Sequence, residues 1–135
     1  MSSKNSYLIK GGEKPPARLC RVVKAPGQSY GFSIKLDKET NMETIDKIAI
    51  GGPAHTAGLV DGDRVWSVNG TRITNKSHDI VVGEIKKHPN HVIFTVTSNA
   101  VWKEYAADGS EPLEYAAAAE WAAEFGHHGI PRNIR

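Results

Sequence analysis

The chain holds one cysteine in 135 residues, so no disulfide can form within it, and no apolar run approaches the ~20 residues that a membrane-spanning helix needs. Cys20 falls in a strand-like pattern, where a lone thiol packs as a small apolar side chain, as expected in a reducing compartment. Charge of one sign is also lacking. Seventeen basic against fifteen acidic side chains leave a net +2 with the signs interspersed. That balance builds neither the basic face of a nucleic-acid binder nor a polybasic membrane patch. The opening stretch Met1-Ser2-Ser3-Lys4-Asn5 has no apolar region of signal-peptide type, so a cytoplasmic location without direct membrane insertion is the expectation. The six histidines show no H-E-x-x-H or comparable pairing, so neither a metal site nor a cofactor is expected.

What is present is mostly strand pattern. Apolar alternation and β-branched content predict strands over 18–24, 32–36, 44–50, 64–68, near 72–73, and over 91–97. Residues 37–43 read as a polar hairpin connection, and Asn69-Gly70 is a strong two-residue turn signal. Pro53 and Gly58 bracket a short helix. A longer one starts at Ser77 as its cap, carries Asp79 in its first turn and Ile80, Val81 and Ile85 on its apolar face, and stops before Pro89. Gly83 inside that helix costs roughly 1 kcal/mol relative to alanine, and close packing is the expected reason. The class is therefore mainly β with two helices.

The ends read differently. Residues 1–16, with Gly11-Gly12 and Pro15-Pro16 and no sustained period, are expected to be a flexible lead-in. A domain over 17–98 follows. Residues 99–135 are rich in alanine and are expected to form a helical extension, with Ser110 capping a helix to Gly126 whose Trp121 and Phe125 dock against the domain.

Ser29-Tyr30-Gly31-Phe32 sits between the first two strands. Its glycine lets successive backbone N–H groups converge on one point, the concave geometry that holds carboxylates and phosphates. The residues Gly27-Gln28-Ser29-Tyr30-Gly31 also spell G-x-S-x-G, which opens a serine-hydrolase alternative with Ser29 as nucleophile. That elbow needs a helix after the serine, whereas a strand is predicted there, so the chain is read as non-catalytic.

Four segments in order resemble the PDZ domain: Ser29-Tyr30-Gly31-Phe32, the run from Gly51-Gly52-Pro53-Ala54 to Leu59, Asp61-Gly62-Asp63 through Asn69-Gly70, and Ser77-His78-Asp79-Ile80-Val81-Val82. The resemblance covers about residues 17–98 and is nearest the Na+/H+ exchanger regulatory factor group. It implies a partly open antiparallel β-barrel or sandwich of five to six strands, acting as a scaffold or adaptor module. It further implies binding of the C-terminal tails of membrane receptors, channels or transporters by β-strand addition, by a monomer held peripherally at the plasma membrane through its partners. The implied carboxylate loop is Tyr30, Gly31 and Phe32. The pocket for the terminal side chain is Tyr30, Phe32, Ile34, Val82 and Ile85. His78 is expected to offer an N–H to a Ser or Thr hydroxyl at position −2, two residues before the terminus. Ser33, Ile34, Lys35 and Asp46 are expected to line the added strand. Where the regulatory-factor domains carry an arginine for an acidic residue at position −3, this chain has Asp46, with Lys35 and Lys47 as the cations nearby. A groove filled by an internal segment of the chain is the other alternative.

Overall fold

The computed structural model describes residues 6–11 and 14–112. In chain order the elements are β1 (Ser6–Gly11), β2 (Lys14–Val23), β3 (Ser33–Asp37), β4 (Met42–Asp46), α1 (Pro53–Thr56), β5 (Arg64–Val68), β6 (Thr71–Arg72), α2 (His78–Ile85), β7 (His91–Thr97) and α3 (Asn99–Ala106). Seven strands form one antiparallel sheet in the order β1-β2-β7-β5-β4-β3, with β6 paired to β5. This is the mainly β, partly open arrangement expected from the sequence. Among the described residues β3 is an edge strand whose one neighbour is β4, in register from Ser33 opposite Asp46 to Asp37 opposite Met42.

Two clusters sit on opposite sides of β5, because successive side chains of a strand point to opposite faces and a register shift between Val65 and Ser67 returns Val68 to the side of Val65. Val65 and Val68 join Val22, Ile45, Phe94, Val96 and the α2 residues Val81 and Ile85 in the main core. Trp66 joins Met42 and Tyr105 on the other side, with Val101 and Trp102 packed around them. The Trp66 indole N–H is satisfied by Thr97 Oγ1 at 3.0 Å, which lets a polar atom be buried at little cost. Arg18 and the buried Asp63 form a two-pronged ion pair, and Asp63 also accepts from the Val60 N–H at 2.9 Å. The segment around Asp61 and Asp63 thus acts through folding.

Local chemistry sets several element ends. Asn69 and Gly70 have φ of +52° and +82°, the pair of positive values that a type I′ turn requires. Ser77 Oγ accepts from the Ile80 N–H at 3.3 Å and Ser98 Oγ from the Val101 N–H at 3.1 Å, capping α2 and α3.

Four expectations are corrected. The N-terminal lead-in contains β1, paired with β2 from Ser6 opposite Cys20 to Gly11 opposite Lys14, and β2 starts three residues before Ala17. Pro15 and Pro16 concealed that start, although a strand's first residues tolerate proline. The strand expected over 44–50 lies at Met42–Asp46. It ends where Lys47 takes φ +54°, and Ile50 is left 85% exposed. Ile80 is exposed rather than on the apolar face of α2. Gly83 is not closely packed, since a Cβ there would meet nothing within 4 Å. The extension begins with α3, whose Tyr105 is buried edge-on against Trp66 at 5.7 Å between ring centroids. The helix expected from Ser110 to Gly126, with Trp121 and Phe125, falls almost wholly outside the described residues.

Candidate functional site

The Ser29–Phe32 loop is held from one side. The Tyr30 carbonyl accepts from Ala54 N–H and the Gly31 carbonyl from Ala49 N–H, both at 2.9 Å. In a trans peptide the C=O and N–H point in opposite directions, so these two bonds turn the Gly31 and Phe32 N–H groups away from α1 and Ala49. Gly31 has φ +80°, and a Cβ there would lie 3.3 Å from Ala49 Cβ, so both the backbone angle and the close approach call for glycine. The Gly31 N–H meets Ser29 Oγ at 3.1 Å. Ser29 is thereby tied into its own loop, and β3 rather than a helix follows it, so the nucleophile elbow is not formed.

Among the expected pocket residues, Tyr30, Phe32 and Ile34 are half-buried and pack on the core that contains Ile85. Tyr30 stacks on Phe32 at 5.9 Å, and Phe32 meets Phe94 edge-on at 5.5 Å. Val82 is half-buried, and its α2 neighbours Val81 and Ile85 are in the core. A cavity of about 340 Å³ opens beside the loop, lined by Tyr30 and Ile85 and rimmed by Lys24, Lys86 and His88. Lys24 Nζ lies 5.1 Å over the Tyr30 ring, a cation–π distance, and burial pushes the Tyr30 phenol up from its ordinary range. The walls are thus apolar and the mouth is positive.

On β3, Ser33 and Lys35 are exposed and Ile34 faces inward. Lys35 Nζ is 3.3 Å from Asp46 Oδ2, and that contact holds the Asp46 carboxyl below the usual carboxylate range. Position 46 therefore presents a neutralised pair.

At the first residue of α2, His78 turns its Nδ1 toward Glu43 on β4, 2.9 and 3.0 Å from the two carboxylate oxygens. Glu43 is only 3% exposed. An ionised carboxylate only accepts, so Nδ1 is the donor and its N–H is already taken. With Nδ1 engaged by Glu43, the ring nitrogen left for the expected contact with a ligand hydroxyl is Nε2. Glu43 went unnoticed because the third strand was expected to start at Thr44, which assigned it to a polar connection. The one signal was its place beside Met42 in a run that alternates into Ile45.

A second group that the sequence did not reveal centres on Arg64. Its guanidinium donates to Asp37 Oδ2 at 2.8 Å, Thr44 Oγ1 at 2.7 Å and Asn99 Oδ1 at 3.0 Å, and lies over the Trp102 ring. It joins α3 to the far end of the β3–β4 hairpin. No group of residues able to hold a metal ion occurs among the described residues.

The PDZ domain family profile matches residues 20–97. The chain belongs to the PDZ family, whose members are non-catalytic protein-interaction modules. Its relatives include the Na(+)/H(+) exchange regulatory cofactor-like protein nrfl-1 of Caenorhabditis elegans, 35% identical over 91 residues that cover 67% of this chain and 19% of that protein. The Na(+)/H(+) exchange regulatory cofactors NHE-RF1 of Gallus gallus and NHE-RF2 of Oryctolagus cuniculus are each 39% identical over 69 residues, 51% of this chain and 20% and 22% of theirs. The chain is thus closely related to this group of adaptor proteins, and spans about a fifth of the length of the curated relatives it matches.

Proposed function

We propose that this module captures the free C-termini of partner proteins by adding them as a strand to β3. The observation that carries the reading is a sheet edge, uncovered by any described strand, that starts directly after a loop whose Gly31 and Phe32 N–H groups are turned outward by anchored carbonyls. The terminal carboxylate lies against the N–H groups of Tyr30, Gly31 and Phe32, displacing Ser29 Oγ from the Gly31 N–H, and charge-assisted bonds of this kind are about twice as strong as neutral ones. The Lys24 and Lys86 rim adds attraction at the same end. The last side chain is apolar and enters between Tyr30, Phe32, Ile34, Val82 and Ile85, which stabilises the complex by ~1.5 to 3 kcal/mol. His78 reads a Ser or Thr at position −2. Ser33 and Lys35 flank the added strand. The Lys35–Asp46 pair leaves position −3 without a strong charge preference.

Partners of this chemistry are the cytosolic tails of membrane receptors, channels or transporters, which would hold the protein peripherally at the plasma membrane. The relatives, whose names refer to Na(+)/H(+) exchange, point the same way. No described helix is long and apolar enough to cross a membrane. The test is fluorescence anisotropy with a peptide ending Thr-x-Leu. The expected dissociation constant is about 1 to 100 µM, and amidation of the terminus should abolish binding. Superimposable curves for acid and amide would refute the carboxylate loop.

A further inference from the structure

We infer that Glu43 is a specificity-determining residue: by holding the proton of His78 on Nδ1 it makes the groove select a hydroxyl donor at position −2. The inference rests on the strand-addition reading above and names the group behind one of its contacts. Both Glu43 oxygens lie within 3.0 Å of the same ring nitrogen. Among the described residues, His78 is the donor that the structure gives this buried carboxylate. A carboxylate out of water without a donor is strongly disfavoured, so releasing the ring is costly and its orientation is set from β4 rather than by the ligand. The side chain of His78 is nevertheless 42% exposed. With Nδ1 turned inward, the accessible edge is the one that carries Nε2.

The consequence is directional. In the neutral ring Nε2 is a bare acceptor, so Ser or Thr satisfies it by donating its hydroxyl proton. Val leaves it unpaired, at the cost of an unsatisfied polar atom beneath the added strand. Asp or Glu at position −2 is ionised, has no proton to donate, and would stand across one ring from the Glu43 charge. The site therefore discriminates against carboxylates as well as apolar side chains, which a histidine free to exchange tautomers would do less sharply. In Glu43→Gln the amide can accept from Nδ1–H or donate to a bare Nδ1, so shape is kept while the tautomer is released.

The experiment compares peptides with Thr, Val or Asp at position −2, titrated into the full chain, into Glu43→Gln, into His78→Val, and into the double variant. It is coupled to 15N NMR of the His78 ring in the peptide-free wild type. The expected result is a wild-type ring protonated on Nδ1 with Nε2 bare. The Thr-over-Val ratio should fall about fivefold in Glu43→Gln, and Glu43→Gln should have no further effect on that ratio in the His78→Val background. A wild-type ring carrying a proton on Nε2, whether alone or together with one on Nδ1, or a ratio unchanged by Glu43→Gln, overturns the inference and leaves strand addition standing. Binding that ignores amidation of the peptide would sink strand addition itself. The NMR measurement uses the unaltered chain, so it decides even if Glu43→Gln fails to fold.

Discussion

Gly31 is where one atom decides most. Its φ of +80° lies in the region that costs a non-glycine residue roughly 1 to 2 kcal/mol, and its would-be Cβ meets Ala49 Cβ at 3.3 Å. Gly31→Ala should therefore destabilise the fold by about that amount and weaken a Thr-x-Leu peptide at least tenfold, because relieving either strain re-aims the N–H groups. Thermal melts and anisotropy on one preparation separate the two effects; normal affinity would show that the loop does not hold the carboxylate. His91 gives a pH prediction of fixed sign. Its ring stacks on His88 with centroids 4.4 Å apart, and burial, then the charges of His88 and Arg21, lower its pKa below the ordinary 6.5. The unfolded chain then binds this proton more readily than the folded one. Stability from this group is complete above about pH 6.5 and is lost as pH falls through the lowered folded value. Urea titrations at pH 7.5 and 5.5 should show a smaller acid-side loss in His91→Gln than in wild type.

α2 separates the work of its faces. Val81 and Ile85 face the core, His78 and Val82 lie beside the proposed groove, and Gly83 is turned to open space. Gly83→Ala should stabilise the domain by roughly 1 kcal/mol, since the helix gains propensity and nothing is displaced. Denaturant midpoints test this, and an unchanged peptide affinity is expected alongside. What was legible in the sequence at this scale was whatever local chemistry specifies: the Asn69-Gly70 turn, the Ser77 cap, Pro53 opening α1, and the β7 alternation bounded by His91 and Thr97. What was not legible depends on partners distant in sequence. β1 is stabilised by its pairing with β2, a fact that Gly-Gly and Pro-Pro obscure locally. The start of β4 at Met42 is set by its register against β3, and the two-residue error hid Glu43 among loop residues. The loop and His78 stood out because the resemblance supplied their context, whereas the partner that orients His78 could be seen only once α2 and β4 were brought together.

For the molecule as a whole, packing continues past Ser98 into α3. α3 covers Met42 and Trp66 with Tyr105, which is 1% exposed, and Asn99 Oδ1 completes the acceptors around Arg64, which also holds Asp37 and Thr44. α3 is thus part of the second core and is joined through one guanidinium to the hairpin that bears the proposed groove. Truncation after Ser98 exposes Trp66 and removes a buried aromatic, a change worth about 3 to 5 kcal/mol in other cores. The truncated form should melt well below the full chain while ranking peptides in the same order, because Tyr30, Gly31, Phe32 and His78 all precede the cut. Tyr105→Ala in the full chain should reproduce most of the loss, which would assign it to α3 rather than to the residues that follow. An unchanged melting temperature in both variants would show that α3 contributes no stability. Peptide binding strengthened several-fold by truncation would instead favour an extension that occupies the groove.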